Sequence, residues 1–186
     1  DADSLRHVEF LRFRRHERHR GFPPADLNAP AGERLPRIPM SDLVRVPVAC
    51  DAGALLGLHR SDSERYPALL ASTASAGALG RYDILFCHPI GTLVLERGGR
   101  LTASGVELDT SRGFLHALDR WWRAEQCAPV ASELPFTGGW FVFLGYEVAM
   151  EIEPTLHLPA SPDAVVATAL RIAAALIHDR RTGRTR

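Results

Sequence analysis

The sequence predicts an α+β, sheet-rich fold, and three observations carry that expectation. Tyr82 to His88 and Thr92 to Glu96 read as strands bounded by turn residues. Trp140 to Leu144 is an apolar run rich in aromatic side chains, too short to cross a membrane and of the kind a doubly buried strand needs. Between Ser111 and Gln126, in contrast, Phe114, Leu115, Leu118, Trp121 and Trp122 recur at helical spacing among Arg and Asp, which describes an amphipathic helix laid on a sheet.

In chain order, residues 1 to 39 differ from everything after them. Arg6, Arg12, Arg14, Arg15, Arg18 and Arg20 stand among His7, His16 and His19, and Pro23, Pro24, Pro30, Pro36 and Pro39 come after. A solvated helix leading into a proline-rich linker accounts for this better than a nucleic-acid-binding arm. His16-Glu17-Arg18-His19 is not H-E-x-x-H, because its second histidine comes one position too early to share a helical face with the first. The expectation is a basic extension outside the fold over 1–39, with the domain proper spanning 40–186 and Met40 as the natural start.

Val44 to Val48 alternates as a short edge strand, in which Pro47 is tolerated where no ladder donor is needed. Asp51 is placed to cap a helix over Ala52 to His59. Tyr66 to Ser72 reads as extended, the small-residue stretch Thr73 to Gly80 as a loop, Pro89-Ile90-Gly91 as a break between two strands, and Gly98-Gly99 as a turn. Ser111 is the expected cap of the amphipathic helix. Pro135 restricts Leu134 to extended geometry, Gly138-Gly139 permits a corner at positive φ, and Gly145 closes the strand after that corner. Ala164 to Ile177 is alanine-rich enough for a helix, yet Val166, Thr168, Leu170, Ile172, Ala174 and Leu176 alternate with a period of two. Asp179 to Gly183 then reads as a hairpin turn.

Composition narrows the function. The chain of 186 residues is 46% hydrophobic, which is ordinary for a globular domain with a real core. Twenty-two basic residues balance 22 acidic ones, so no global field gathers nucleic acid or anionic membrane. All the basic residues are Arg, which excludes lysine-based catalysis within these residues. Cys50, Cys87 and Cys127 are odd in number and widely spaced, giving neither a disulfide framework nor a zinc site, and a reducing cytoplasm is the simplest setting. G-x-S-x-G, the phosphate-loop motif and the Rossmann glycines are all absent. No catalytic residue and no metal ligand is therefore assigned.

Three motifs carry a family resemblance. Tyr66-Pro67-Ala68-Leu69-Leu70-Ala71-Ser72, then Gly80-Arg81-Tyr82-Asp83-Ile84-Leu85-Phe86-Cys87-His88-Pro89, then Leu134-Pro135-Phe136-Thr137-Gly138-Gly139 running to Gly145-Tyr146-Glu147, resemble in type and order the amino-terminal part of the chorismate-utilising enzymes. These are para-aminobenzoate (aminodeoxychorismate) synthase component I and anthranilate synthase component I. The aminobenzoate branch fits better, through Arg81 to Ile84 and then Pro89-Ile90-Gly91-Thr92-Leu93.

The resemblance implies a fold, an activity and a pocket. The fold is the layered α/β/β/α arrangement of that family, here an incomplete amino-terminal portion ending before the chorismate-binding domain, and 164–177 are strands rather than helix. The activity of the whole protein is amination of chorismate, with ammonia delivered by a glutamine amidotransferase subunit or domain and with Mg2+ held by ligands beyond Arg186. Anthranilate synthesis, or a non-catalytic small-molecule-binding module, is the alternative. The portion present carries a tryptophan-type effector pocket. Ser72 would bind the amino-acid end of the ligand, Leu79, Gly80, Arg81 and Tyr82 would form the adjoining wall, and Leu70, Pro135 and Phe136 would complete it. Where an aminobenzoate synthase can have Tyr-Ser before the arginine, this chain has Leu79-Gly80, which removes a hydroxyl.

Overall fold

Two 15-residue strands, paired antiparallel along almost their whole length, form the axis of the molecule in the computed structural model, which describes residues 48–72, 80–127 and 131–186. The expected extension over 1–39, the strand over Val44 to Pro47 and the loop from Thr73 to Leu79 lie outside the described residues. In chain order the elements are α1 (Ala52–Ser61), β1 (Ala68–Leu70), β2 (Tyr82–Glu96), β3 (Leu101–Ser104), α2 (Phe114–Ala124), β4 (Gly139–Leu144), a 3-10 turn (Tyr146–Val148), α3 (Ala149–Ile152), β5 (Val165–Asp179) and β6 (Arg184–Thr185). The two long strands are β2 and β5. On its outer edge β2 carries β1 and β3, while β5 carries β4 and β6, all antiparallel. The sheet-rich α+β expectation is met.

Alternation assigns the faces. Leu85 and Phe86 are successive residues of β2 and point to opposite sides. Leu85 and Cys87 meet Leu55 of α1, while Phe86 meets Phe136 and Phe141. On β4, Trp140 packs edge-to-face on Trp121 of α2 with ring centroids 5.6 Å apart, and its neighbour Phe141 lies 5.4 Å from Phe86. Helices α1 and α2 thus share one face, and the Phe86–Phe136–Phe141 cluster occupies the other. The described residues form one helix layer on one sheet. The second sheet and second helix layer implied by the resemblance are not among them.

The helix-or-strand ambiguity of 164–177 resolves as strand β5. Val166 to Ile172 are all buried, so both faces of this stretch are covered, and it has a partner strand on each edge. A helix would have buried one stripe only and left the β2 edge unpaired.

Trp140 to Leu144 is not the doubly buried strand expected: β4 lies at the edge of the sheet, and each of its residues is half-buried or exposed. Two further expectations are corrected. Pro89-Ile90-Gly91 does not separate two strands; β2 runs through it, and the register slips by one residue between Pro89 and Gly91. His88 takes φ 52°, the left-handed region, and supplies the kink of a bulge, where the missing N–H of Pro89 is tolerated. Gly91 is required by contact: a Cβ there would stand 2.9 Å from Cζ2 of Trp121. The second correction concerns α2, which starts at Phe114 rather than after Ser111, with Gly113 at φ 94° in the cap position. No side chain of the cap residue serves its first turn. Glu151 of α3 does so instead, its carboxylate accepting from Phe114 N and Leu115 N, each at 2.8 Å. A Cβ at Gly113 would lie 3.0 Å from that carboxylate.

Other local expectations hold. Asp51 caps α1 through Ala54 N at 2.8 Å, and α1 runs on to Ser61. Gly99 lies at φ 78° in the β2–β3 turn, and Gly138 and Gly139 take φ 125° and 131°. The β5–β6 turn closes through donation from Thr182 N and Gly183 N to Asp179 O. Thr185 of β6 donates its hydroxyl proton to Cys50 O, so its oxygen accepts from His178 Nδ1 at 3.0 Å. That pair, with the Val48–Thr185 bridge, clasps the start of the described chain to its end.

Candidate functional site

The described candidate residues lie toward the end of the sheet where β2 begins and β5 finishes. In β1, Leu70 lies opposite Ile84 of β2, and continuing that register carries the chain at Ser72 toward the level of Tyr82. Leu70 is 47% exposed and shares by alternation the face of Ala68, which belongs to the cluster that Phe136 covers. Phe136 packs edge-to-face on Phe86 at 5.1 Å, Pro135 is exposed, and Gly80 is buried. Ser72 is half-buried and lies just past the end of β1. Leu79 lies outside the described residues.

The clearest geometry belongs to charge pairs that the motif alone does not disclose. Arg81 donates from Nε to Asp179 Oδ1 at 3.1 Å and from Nη2 to Oδ2 at 2.7 Å. Asp83, 2% exposed, accepts from Arg180 Nε at 2.7 Å and Nη2 at 2.6 Å. Each pair is a two-point fork, and together they are reciprocal: Arg81, just before β2, and Asp83 within it answer Asp179, the last residue of β5, and Arg180 after it. Arg180 N also donates to Arg81 O at 2.9 Å. The Arg81 guanidinium lies 4.6 Å from the centroid of the Tyr82 ring. It holds the Asp179 carboxyl well below its ordinary range by hydrogen bonding, and Arg81 is raised in turn by the same bond.

Arg81 is thus a committed partner of Asp179 before any ligand is considered. Asp179 and Arg180 were not among the sequence candidates, although a signal existed in the Asp-Arg dipeptide that mirrors Arg81-Tyr82-Asp83 about a predicted pair of strands.

Beside these pairs lies a cleft of about 160 Å³ lined by Arg81, Tyr82, Glu133, Leu134 and residues of the β5–β6 hairpin. Of the candidate residues only Arg81 and Tyr82 line that cleft, and a larger concavity of about 560 Å³ along Ala103 and residues 106–110, open to solvent, includes none. A second polar network stands under α2. Arg171, 7% exposed, donates from Nε to Glu125 Oε2 at 2.6 Å and from Nη1 to Gly139 O at 3.1 Å, while Trp121 Nε1 donates to Glu125 Oε1 at 2.6 Å. The guanidinium also lies 4.6 Å from the Trp140 ring centroid. It ties helix to sheet and presents no free acid or base.

Among the described residues no group of three or more His, Cys, Asp or Glu side chains is disposed to hold a metal ion. No described helix is long and apolar enough to cross a membrane. No protein-family model matches the chain, and no curated protein does. Among solved structures the chain is similar to anthranilate synthase component I from Streptococcus pneumoniae TIGR4, at 19% identity and a TM-score of 0.46. The similarity covers 76% of this chain and 31% of that one, so the chain spans about a third of its length.

Proposed function

We propose that this chain is the amino-terminal portion of aminodeoxychorismate synthase component I, a cytoplasmic enzyme that aminates chorismate to 4-amino-4-deoxychorismate with ammonia from a glutamine amidotransferase subunit or domain. One observation carries the reading. Three motifs separated by long stretches of chain resemble those of one family in type and order, and they fall on β1, β2 and β4 of a single sheet.

In this reading the portion present supplies the packed amino-terminal layer and a tryptophan-type pocket, while chorismate and Mg2+ are bound by residues beyond Arg186. Ser72 and the backbone of Leu79 to Tyr82 meet the zwitterion, and Leu70, Pro135 and Phe136 wall the ring. Arg81 acts mainly by fixing that backbone, because its fork is already spent on Asp179. Gly80 offers no hydroxyl where the family can have one. Loss of one hydrogen bond to a charged group costs about 1.5 to 3 kcal/mol, or roughly ten- to hundredfold in affinity, so tryptophan binding by this chain is expected to be weak.

The test is an assay of the natural protein containing this sequence, supplied with chorismate, ammonia and Mg2+. Formation of an amino product that retains its enolpyruvyl group is expected, and the 186-residue chain alone gives none. Release of pyruvate with anthranilate would replace the aminobenzoate branch with the anthranilate one. Absence of any product from the natural protein would leave a binding module.

A further inference from the structure

The cleft at the β5–β6 hairpin carries more positive charge than its ion pairs consume. Its lining contains Arg81, Arg181, Arg184 and Arg186 against two carboxylates, Glu133 and Asp179. Four guanidinium charges facing two side-chain carboxylates leave a side-chain surplus of two, from which the α-carboxylate of Arg186 subtracts one in the 186-residue chain. Arg81 is neutralised by its fork with Asp179. Arg181, Arg184 and Arg186 are exposed and make no ion pair among the described residues. Unpaired guanidinium groups around one small cleft raise the local positive potential and favour entry of an anion.

The backbone keeps the arrangement fixed. Gly183, at φ 66°, allows the tight turn, and Asp179 accepts at its backbone oxygen from Thr182 N and Gly183 N and at Oδ1 from Arg181 N at 3.0 Å. Arg186 N donates to Ile177 O at 3.0 Å and Ile177 N to Arg186 O at 2.8 Å, so the arms bearing Arg181 and Arg184 to Arg186 stand in a set register across the turn. Guanidinium groups suit planar, two-point recognition of phosphate oxygens, and Arg181 and Arg184 offer two such groups that no described carboxylate engages.

We propose that this cleft binds a dianionic phosphate group, free or as a small monoester, with Arg181 and Arg184 as its principal donors. The cleft shares Arg81 and Tyr82 with the effector pocket proposed above, but the inference rests on the hairpin arginines and on none of the chorismate chemistry.

Calorimetric titration of the 186-residue chain with inorganic phosphate and with glycerol 3-phosphate, at constant ionic strength, tests it and separates the free from the esterified source. Saturable one-to-one binding is expected. It strengthens as pH rises through the second phosphate ionisation, about 6 for a monoester. Arg181→Gln and Arg184→Gln should each weaken it roughly tenfold, the scale of one lost charge-assisted hydrogen bond. Arg100→Gln, which alters an exposed pair in the β2–β3 turn, should leave it unchanged. Circular dichroism of each variant checks that the sheet is intact. Non-saturable heats with both ligands, equal binding at pH 5 and pH 8, or equal loss in Arg100→Gln would overturn the proposal.

Discussion

The two ends of the β2–β5 ribbon use the same pairing and are held by different forces. At the α2 end, Leu93 of β2 and Ala167 and Ala169 of β5 pack against Phe114, Ala117 and Trp121, and every one of these side chains is almost wholly excluded from solvent. At the hairpin end the same two strands are locked by Arg81–Asp179 and Arg180–Asp83, with Tyr82 half-buried and Arg181, Arg184 and Arg186 exposed. Burial of apolar area is strong and tolerant of direction, whereas a forked ion pair is directional and surrenders much of its Coulomb gain to desolvation. The first end therefore supplies stability and the second fixes the register of the ends. Spare charge accumulates at the second, where a ligand could use it.

The sharpest break of this contrast is Trp121→Ala. It removes a side chain that is 2% exposed and that contacts Trp140 and Gly91, and chemical denaturation should show a loss of about 3–5 kcal/mol. Asp83→Asn attacks the other end. It leaves Arg180 with a weaker acceptor, but that guanidinium can reach water, so the expected loss is smaller, about 1.5 to 3 kcal/mol. A loss as large as that of Trp121→Ala would mean that the hairpin end is a stabilising core in its own right.

Glu151→Gln comes next. It keeps an acceptor near the first turn of α2 and removes the charge facing two N–H groups, and about 1 kcal/mol should be lost. Acid titration sharpens the comparison further. Asp179 has its folded-state pKa depressed by Arg81, so its contribution is complete above the unfolded carboxylate value of about 3.9 and disappears as pH falls below it toward the depressed folded value. Asp179→Asn should flatten the acid limb of stability against pH, with little change near neutrality in that slope. The smallest effect is kinetic. Cys127 is exposed, whereas Cys87 is buried with its thiol pushed up by that burial, so Cys127 should be alkylated first and Cys87 only as the sheet opens at the α1 end.

Much of the fold was legible because its signals are local. The period-two run over 164–177, the helical stripe of Phe114 to Trp122 and the glycine corners at 98–99 and 138–139 each describe their own surroundings. What stayed hidden depended on distant residues. Pro89-Ile90-Gly91 looks like a break until His88 is seen to absorb the kink and Gly91 to admit Trp121. The start of α2 was misplaced because its acceptor is 37 residues away on α3. At the candidate site, Ser72, Gly80, Arg81 and Tyr82 come to one end of the sheet, but no local pattern disclosed that Arg81 is already engaged. Its partner is 98 residues further on.

The cap supplied by Glu151 also has a bearing on the order in which the chain acquires its structure as it is synthesised. When Phe114 to Ala124 leave the ribosome, the glutamate that satisfies the first turn does not yet exist, and the inner edge of β2 has no β5 to pair with. Eleven residues are too few for a helix to persist alone in water. The aromatic face of α2 thus waits, exposed, for about forty more residues at the roughly 5–20 residues per second of translation. Closure of β5 onto β2, a pairing of high sequence separation, is then the step that commits the whole sheet, and folding of the nascent chain is expected to be late and abrupt rather than progressive.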